Sequence, residues 1–103
     1  MKFPNLNQAR ELKARLDKLH QIQKALSDIV IEADAGRGAV RVTMNGQMQL
    51  KSVKIAPELV SPDKAKNLEE LVQKAVNDAI DKTRKEATKE LKELAGGNIP
   101  GLF

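Results

Sequence analysis

The sequence predicts an α+β chain with a long N-terminal helix, a three-stranded antiparallel meander and a long C-terminal helix. Three observations carry that prediction. Apolar residues recur three or four apart toward both ends of the chain. Between them, "SDIVIEADAGRGAVRVTMNGQMQLKSVKIAP" is rich in β-branched residues with two-residue alternation. Gly-Arg and Asn-Gly interrupt that alternation where hairpin turns belong. The 103 residues suffice for one domain, 1–103, and no more.

The first helix is expected from Asn7 to Ser27. Ala9, Leu12, Leu16, Leu19, Ile22 and Leu26 share one face, and Asn5 or Asn7 can cap the start. At the α-helical rise it spans about 30 Å.

Strands follow at Ile29–Ala35, Ala39–Met44 and Gln47–Ile55. A two-residue turn at Gly36-Arg37 would oppose Ile31 to Val42, Ala33 to Val40 and Glu32 to Arg41. A three-residue loop, Met44-Asn45-Gly46 with Gly46 left-handed, would oppose Val42 to Met48 and Val40 to Leu50. Val53 and Ile55 then fall out of phase, so a bulge is expected near Lys51-Ser52. The meander has one apolar face, which needs a cover.

Ser61-Pro62 signals the start of the last helix, and nothing breaks it before Gly96-Gly97. From Asp63 to Ala95 it spans about 50 Å, whereas a compact domain of this size has a radius of gyration near ~13 Å. Part of the helix must therefore project or be covered by another chain. Its apolar content thins after Ile80, where only Thr83, Ala87, Leu91 and Leu94 continue the stripe. Asn77, near that transition, is expected to hydrogen-bond to the sheet, the first helix or a second copy. Asp78 and Asp81 are expected to pair with Lys82 and Lys85, four residues on. The segment 96–103, "GGNIPGLF", is expected to be a flexible tail.

Composition excludes several functions. There is no Cys, hence no disulfide framework, thiolate metal site or cysteine nucleophile. The one His, His20, has no identifiable catalytic partner. Ser27, Ser52 and Ser61 lack a nucleophile context, and Gly36 and Gly38 sit in a hairpin rather than a phosphate loop. No enzyme, metal, cofactor or small-molecule substrate is expected. No apolar run reaches the ~18 residues of a bilayer span, so a soluble intracellular protein without membrane association is expected.

Charge is distributed unevenly. Residues 1–27 hold six basic and two acidic side chains, which accounts for the net +4 of the whole chain, since the rest is balanced. A local basic surplus favours a polyanionic partner. On the last helix Lys82, Lys85, Lys89 and Lys92 line the face opposite the thin apolar stripe, with Glu86, Glu90 and Glu93 on another flank. Arg10, Lys13, Lys18 and Lys24 point away from the first helix's stripe, with Arg15 at its edge. Such rows can be solvated faces laced with ion pairs, or they can contact phosphates. Two projecting helices with outward basic rows would form an electrostatic clamp. Without Trp or Tyr there is no platform for stacking single strands, and Lys outnumbers the Arg that reads bases bidentately. If the clamp binds DNA, salt-sensitive, sequence-tolerant binding is the expected mode. An insertion of Ile99, Pro100 and Phe103 between bases is weighed against a loose tail.

The basic leading helix, "GRGAVRVTMNGQMQLKSVKI", "LEELVQKAVNDAIDK" and the ending "GGNIPGLF" together resemble the YbaB/EbfC family of bacterial nucleoid-associated proteins. The likeness covers nearly the whole chain. It implies a homodimer with projecting helical ends in a tweezer-like shape. It also implies cytoplasmic, nucleoid-associated binding of double-stranded DNA without strong sequence demands, affecting DNA conformation and gene expression. Carried onto this chain, its DNA contacts fall on Arg10, Lys13, Arg15, Lys18, Lys82, Arg84, Lys85, Lys89 and Lys92. The alternative is a non-enzymatic adaptor that docks onto a protein through its projecting helices and apolar tail.

Overall fold

A computed structural model describes residues 5–94 in the order helix, three strands, helix. Residues 96–103 and the expected helix stop at Gly96-Gly97 lie outside the described residues. The first helix, α1 (Leu6–Asp28), begins in a capping box. The Asn5 side chain accepts from the Gln8 backbone N–H at 2.8 Å, and Gln8 Oε1 accepts from the Asn5 N–H at 3.1 Å.

Strands β1 (Ile31–Ala35), β2 (Val40–Met44) and β3 (Leu50–Ile55) form one antiparallel sheet in the order β1-β2-β3. The residues expected on each face of β1 and β2 are found there, but both hairpin registers differ from expectation. Ala33 opposes Val42 and Ala35 opposes Val40, so Glu32 faces Thr43 and Asp34 faces Arg41. The cause is a loop of four residues, 36–39. Gly36, Arg37 and Gly38 have φ of 64°, 58° and 84° in succession, and Ala39 N donates to Gly36 O at 3.2 Å.

The second connection is also longer. Val40 faces Ile55 and Val42 faces Val53, across a loop of residues 45–49. Lys51 is the extra residue between Ser52 and Leu50, which places a bulge where one was expected. Asn45 organises this loop. Its Oδ1 accepts from Gln47 N and Gln49 N, each at 3.0 Å, and its Nδ2 donates to Gln49 Oε1 at 2.8 Å. Met48 rather than Gly46 takes the left-handed conformation, with φ 62°. Gly46 is required for a different reason, its proximity to α1: a Cβ there would lie 2.5 Å from the Leu26 carbonyl oxygen.

Ser61-Pro62 does open the last helical segment, as a 3-10 turn (Pro62–Lys64) to which the Ser61 side chain gives no cap. Then α2 (Ala65–Leu94) packs across β1 and β2. Ala75, Ala79 and Thr83, spaced four apart, are fully buried against the sheet's Ala33, Ala35, Val40, Val42 and Met44. Small residues at that spacing let the helix lie close to the strands, and Leu68, Leu71, Val72, Val76 and Ile80 fill the margins.

Two consequences bear on function. α2 leaves β3 largely uncovered: Val53 and Ile55 share the apolar face with Val42 and Val40, yet they are 43% and 38% exposed. Moreover, α1 packs on α2 and buries none of its residues. The molecule measures 67 × 29 × 20 Å, with a radius of gyration of 19.8 Å. That exceeds the ~13 Å of a compact domain of this length, in keeping with the expectation that helix projects.

Candidate nucleic-acid interface

The projecting part is one arm built from two antiparallel helices. α1 ends three residues before β1, and α2 has its last buried residue at Thr83. Lys82 marks the exit point, where its Nζ donates to Glu32 O of β1 at 3.2 Å. Farther out, Lys18 Nζ donates to Leu94 O at 2.6 Å, so the end of α2 lies beside the middle of α1. The two helices of one chain are joined there, and a clamp with two jaws therefore needs a second copy.

This pairing orders the basic residues along one axis. From the sheet outward come Lys82, Arg84, Lys85, Lys89 and Lys92 on α2. Lys18 stands level with the end of α2, and Arg15, Lys13 and Arg10 continue toward the tip on α1. All nine are exposed. Lys82 to Leu94 covers about 18 Å and Lys18 to Arg10 about 12 Å. The series is thus about 30 Å long, close to the ~34 Å of one turn of duplex DNA.

Among the acidic residues of α2, Glu86 and Glu90 are half-buried, whereas Lys85 and Lys89 are exposed. Those two carboxylates fall toward the side of the helix that carries Thr83, while Asp81 and Glu93 are exposed as the lysines are. The expected pairing of Asp78 with Lys82 and of Asp81 with Lys85 is not formed, since Lys82 turns to the strand carbonyl instead. Lys24, by contrast, pairs with Asp28 at 3.2 Å. Asn77 is exposed and makes no hydrogen bond to the sheet or to α1, contrary to expectation within one chain, while Asp78 is half-buried. His20 is exposed on α1.

The polar face of the sheet is a separate surface. A depression of about 460 Å³ is lined by Glu32, Asp34, Arg41, Thr43, Ser52 and Lys54, with the Thr43 and Ser52 hydroxyls hydrogen-bonded at 2.6 Å. Its two carboxylates offset its two cations, so it is not a phosphate cradle. Among the described residues, no helix is long and apolar enough to cross a membrane, and no cluster of His, Cys, Asp or Glu could hold a metal ion.

Sequence reasoning missed two features of the site. The Lys18 contact joins residues 76 apart in the chain, and no local pattern announces it. The uncovered apolar side of β3 is readable only once the register is known, because Val53 and Ile55 must be placed opposite Val42 and Val40.

The family model of the YbaB/EbfC DNA-binding family matches residues 3–98 of the chain. A nucleoid-associated protein of Syntrophobacter fumaroxidans is 39% identical over 97 residues, covering 93% of this chain and 88% of that protein. A nucleoid-associated protein of Alkaliphilus metalliredigens is 36% identical over 102 residues, covering 97% and 90%. The crystal structure of an uncharacterized protein from Helicobacter pylori has the same fold, with a TM-score of 0.57. It shares 24% identity and covers 82% of this chain and 93% of its own.

Proposed function

The chain belongs to the YbaB/EbfC DNA-binding family, and on that premise we propose that it is a non-enzymatic, nucleoid-associated DNA-binding protein. It binds double-stranded DNA as a homodimer and without strong sequence preference. The observation that carries this reading is the axial series of nine exposed basic residues along one arm. Its length suits the phosphates of about one duplex turn. The series is mostly lysine, which supplies point charges rather than bidentate base contacts.

Dimerisation is supported by the uncovered half of the sheet's apolar face. Leu50, Val53 and Ile55 are 43%, 43% and 38% exposed, although the same face of β2 is buried beneath α2. A second copy covers β3 and brings a second arm, which completes a tweezer of two basic jaws. Gel shift with unrelated duplexes across a salt series tests the reading. Binding that is tight at low salt, similar among sequences and steeply weakened by salt is expected. No binding at low salt, or binding indifferent to salt, overturns it.

One observation favours a second reading. Leu12, Leu16 and Leu19 of α1 are 55%, 46% and 48% exposed, an apolar face on which an adaptor could receive a protein. A pull-down with and without nuclease separates the two, because partners of an adaptor survive nuclease treatment.

A further inference from the structure

The arm is useful only if α1 holds a fixed direction, yet no residue of α1 is buried. Isolated helices of this length are marginal in water, and an exposed one takes its direction from a few attachments. Two attachments are built into this fold. At the root, the Leu26 carbonyl accepts from Ile29 N at 3.2 Å and from Gly46 N at 2.9 Å. The Gln47 side chain also reaches the Gln23 carbonyl, at 3.5 Å. The Leu26 carbonyl lies in the last turn of α1, where carbonyls have no partner within the helix.

The β2–β3 loop is shaped to make this contact. Gly46 and Asn45 are buried, and Asn45 holds the loop through three side-chain hydrogen bonds. At Gly46 an added Cβ would stand 2.5 Å from Leu26 O, 3.2 Å from Leu26 C and 3.0 Å from Ile29 Cδ1. Two of these atoms are backbone, so the helix root would have to retreat. Midway along α1 the second attachment is Lys18, whose ammonium binds the C-terminal end of α2 through Leu94 O at 2.6 Å.

We propose that α1 is carried on a two-point mount, Gly46 at the root and Lys18 midway, and that both are positioning residues for the arm rather than contacts to DNA. The proposal rests on the arm being the DNA-binding surface. It withdraws Lys18 from the nine as a DNA contact, because its ammonium is committed to the Leu94 carbonyl; the other eight still run from Lys82 to Arg10. Eight residues, about 12 Å, separate Lys18 from Leu26, and the tip extends about 18 Å beyond Lys18. With the fulcrum intact, a retreat of roughly 0.9 Å at the root, enough to restore ordinary van der Waals contact, swings the tip by roughly 1.3 Å. With both points lost, only the packing of α1 on α2 restrains the tip.

The chain has no cysteine, so spin labels can be placed at will. Glu11→Cys on α1 and Gln73→Cys on α2, both exposed positions, report the arm angle by dipolar spectroscopy. Labelled chains are diluted into excess unlabelled protein so that only distances within one chain are read. Lys18→Met is expected to broaden the distance distribution, Gly46→Ala to displace its mean, and the double variant to broaden it most. An unchanged distribution in the double variant overturns the mount.

DNA affinity supplies a readout that a contact and a strut move differently. If loss of the strut leaves one-fifth of the arms aligned, Lys18→Met binds about fivefold more weakly. The salt slope stays as in the parent, and Lys18→Arg restores binding. A slope shallower by about 0.9 marks a lost phosphate contact instead and overturns the assignment. If the parent chain binds no DNA, the proposed function fails, while the distance measurement still decides the mount.

Discussion

Replacing Val53 and Ile55 of β3 with serine should dissolve the dimer while sparing the subunit. The two side chains are 43% and 38% exposed in the single chain, and they lie on the face that α2 covers over β1 and β2 but not over β3. Full burial of such a side chain is worth about 2 kcal/mol, so completing the last two-fifths is worth about 0.8 kcal/mol. A two-fold symmetric interface counts each residue twice, which brings the pair to about 3 kcal/mol per dimer. That corresponds to a dissociation constant raised roughly 200-fold. Sedimentation velocity over a concentration series measures it, and circular dichroism checks that the doubly substituted subunit remains folded. A folded variant with the parent's dimerisation constant would refute the reasoning and move the interface elsewhere, with α1's leucine face as the next place to look.

Charge reversal at Lys85, Lys89 and Lys92 should weaken DNA binding far more than reversal at Lys51 and Lys54. Each lost phosphate contact should flatten the salt slope by about 0.9, and equal losses in the two gel-shift series would remove the arm as the binding surface. Asn45→Ala strips the loop of three hydrogen bonds and leaves the backbone N–H groups of Gln47 and Gln49 without their acceptor. A loss of about 2–3 kcal/mol in urea unfolding is expected, and a neutral result would mean that the loop reorganises freely. Thr83 is fully buried with its hydroxyl unpartnered. Thr83→Val keeps the shape and removes the stranded polar group, so it should stabilise by about 1 kcal/mol. A lower melting temperature would show that the hydroxyl has a partner.

The elements were legible in the sequence because each obeys a local rule. α1 and α2 follow from three- and four-residue spacing, and cap chemistry offered Asn5 or Asn7, of which Asn5 caps α1 with Gln8 completing the box. Strand parity was equally readable: Ala33, Val40 and Val42 were expected on the apolar face and lie buried there. Register was not, because it depends on how many residues a loop consumes. An arginine between two glycines with positive φ lengthens the first loop, and Met48 takes the left-handed position that glycine was expected to hold. Gly46 was read as a turn residue, but it is needed for the approach of α1, a tertiary demand that no turn rule contains.

The candidate site divides in the same way. Helical periodicity located the basic residues and their exposure. It could not show that Lys82 binds a strand carbonyl, that Lys18 binds the end of α2, or that the two helices form one arm. Asp78 and Asn77 make the same point. The wheel placed Asp78 on the outward lysine face and Asn77 near the edge of the apolar stripe, but Asn77 is exposed and Asp78 half-buried, because the sheet and α1 rather than apolar spacing alone define the covered side of α2.

In the proposed complex DNA lies along the arm. Lysine-directed chemical footprinting of the folded protein, with and without a saturating random-sequence duplex, tests it directly. Protection is expected at Lys13, Lys85, Lys89 and Lys92, with Lys51 and Lys54 on the sheet reacting as in the free protein. Protection centred on Lys51 and Lys54, with the arm lysines unchanged, would contradict it.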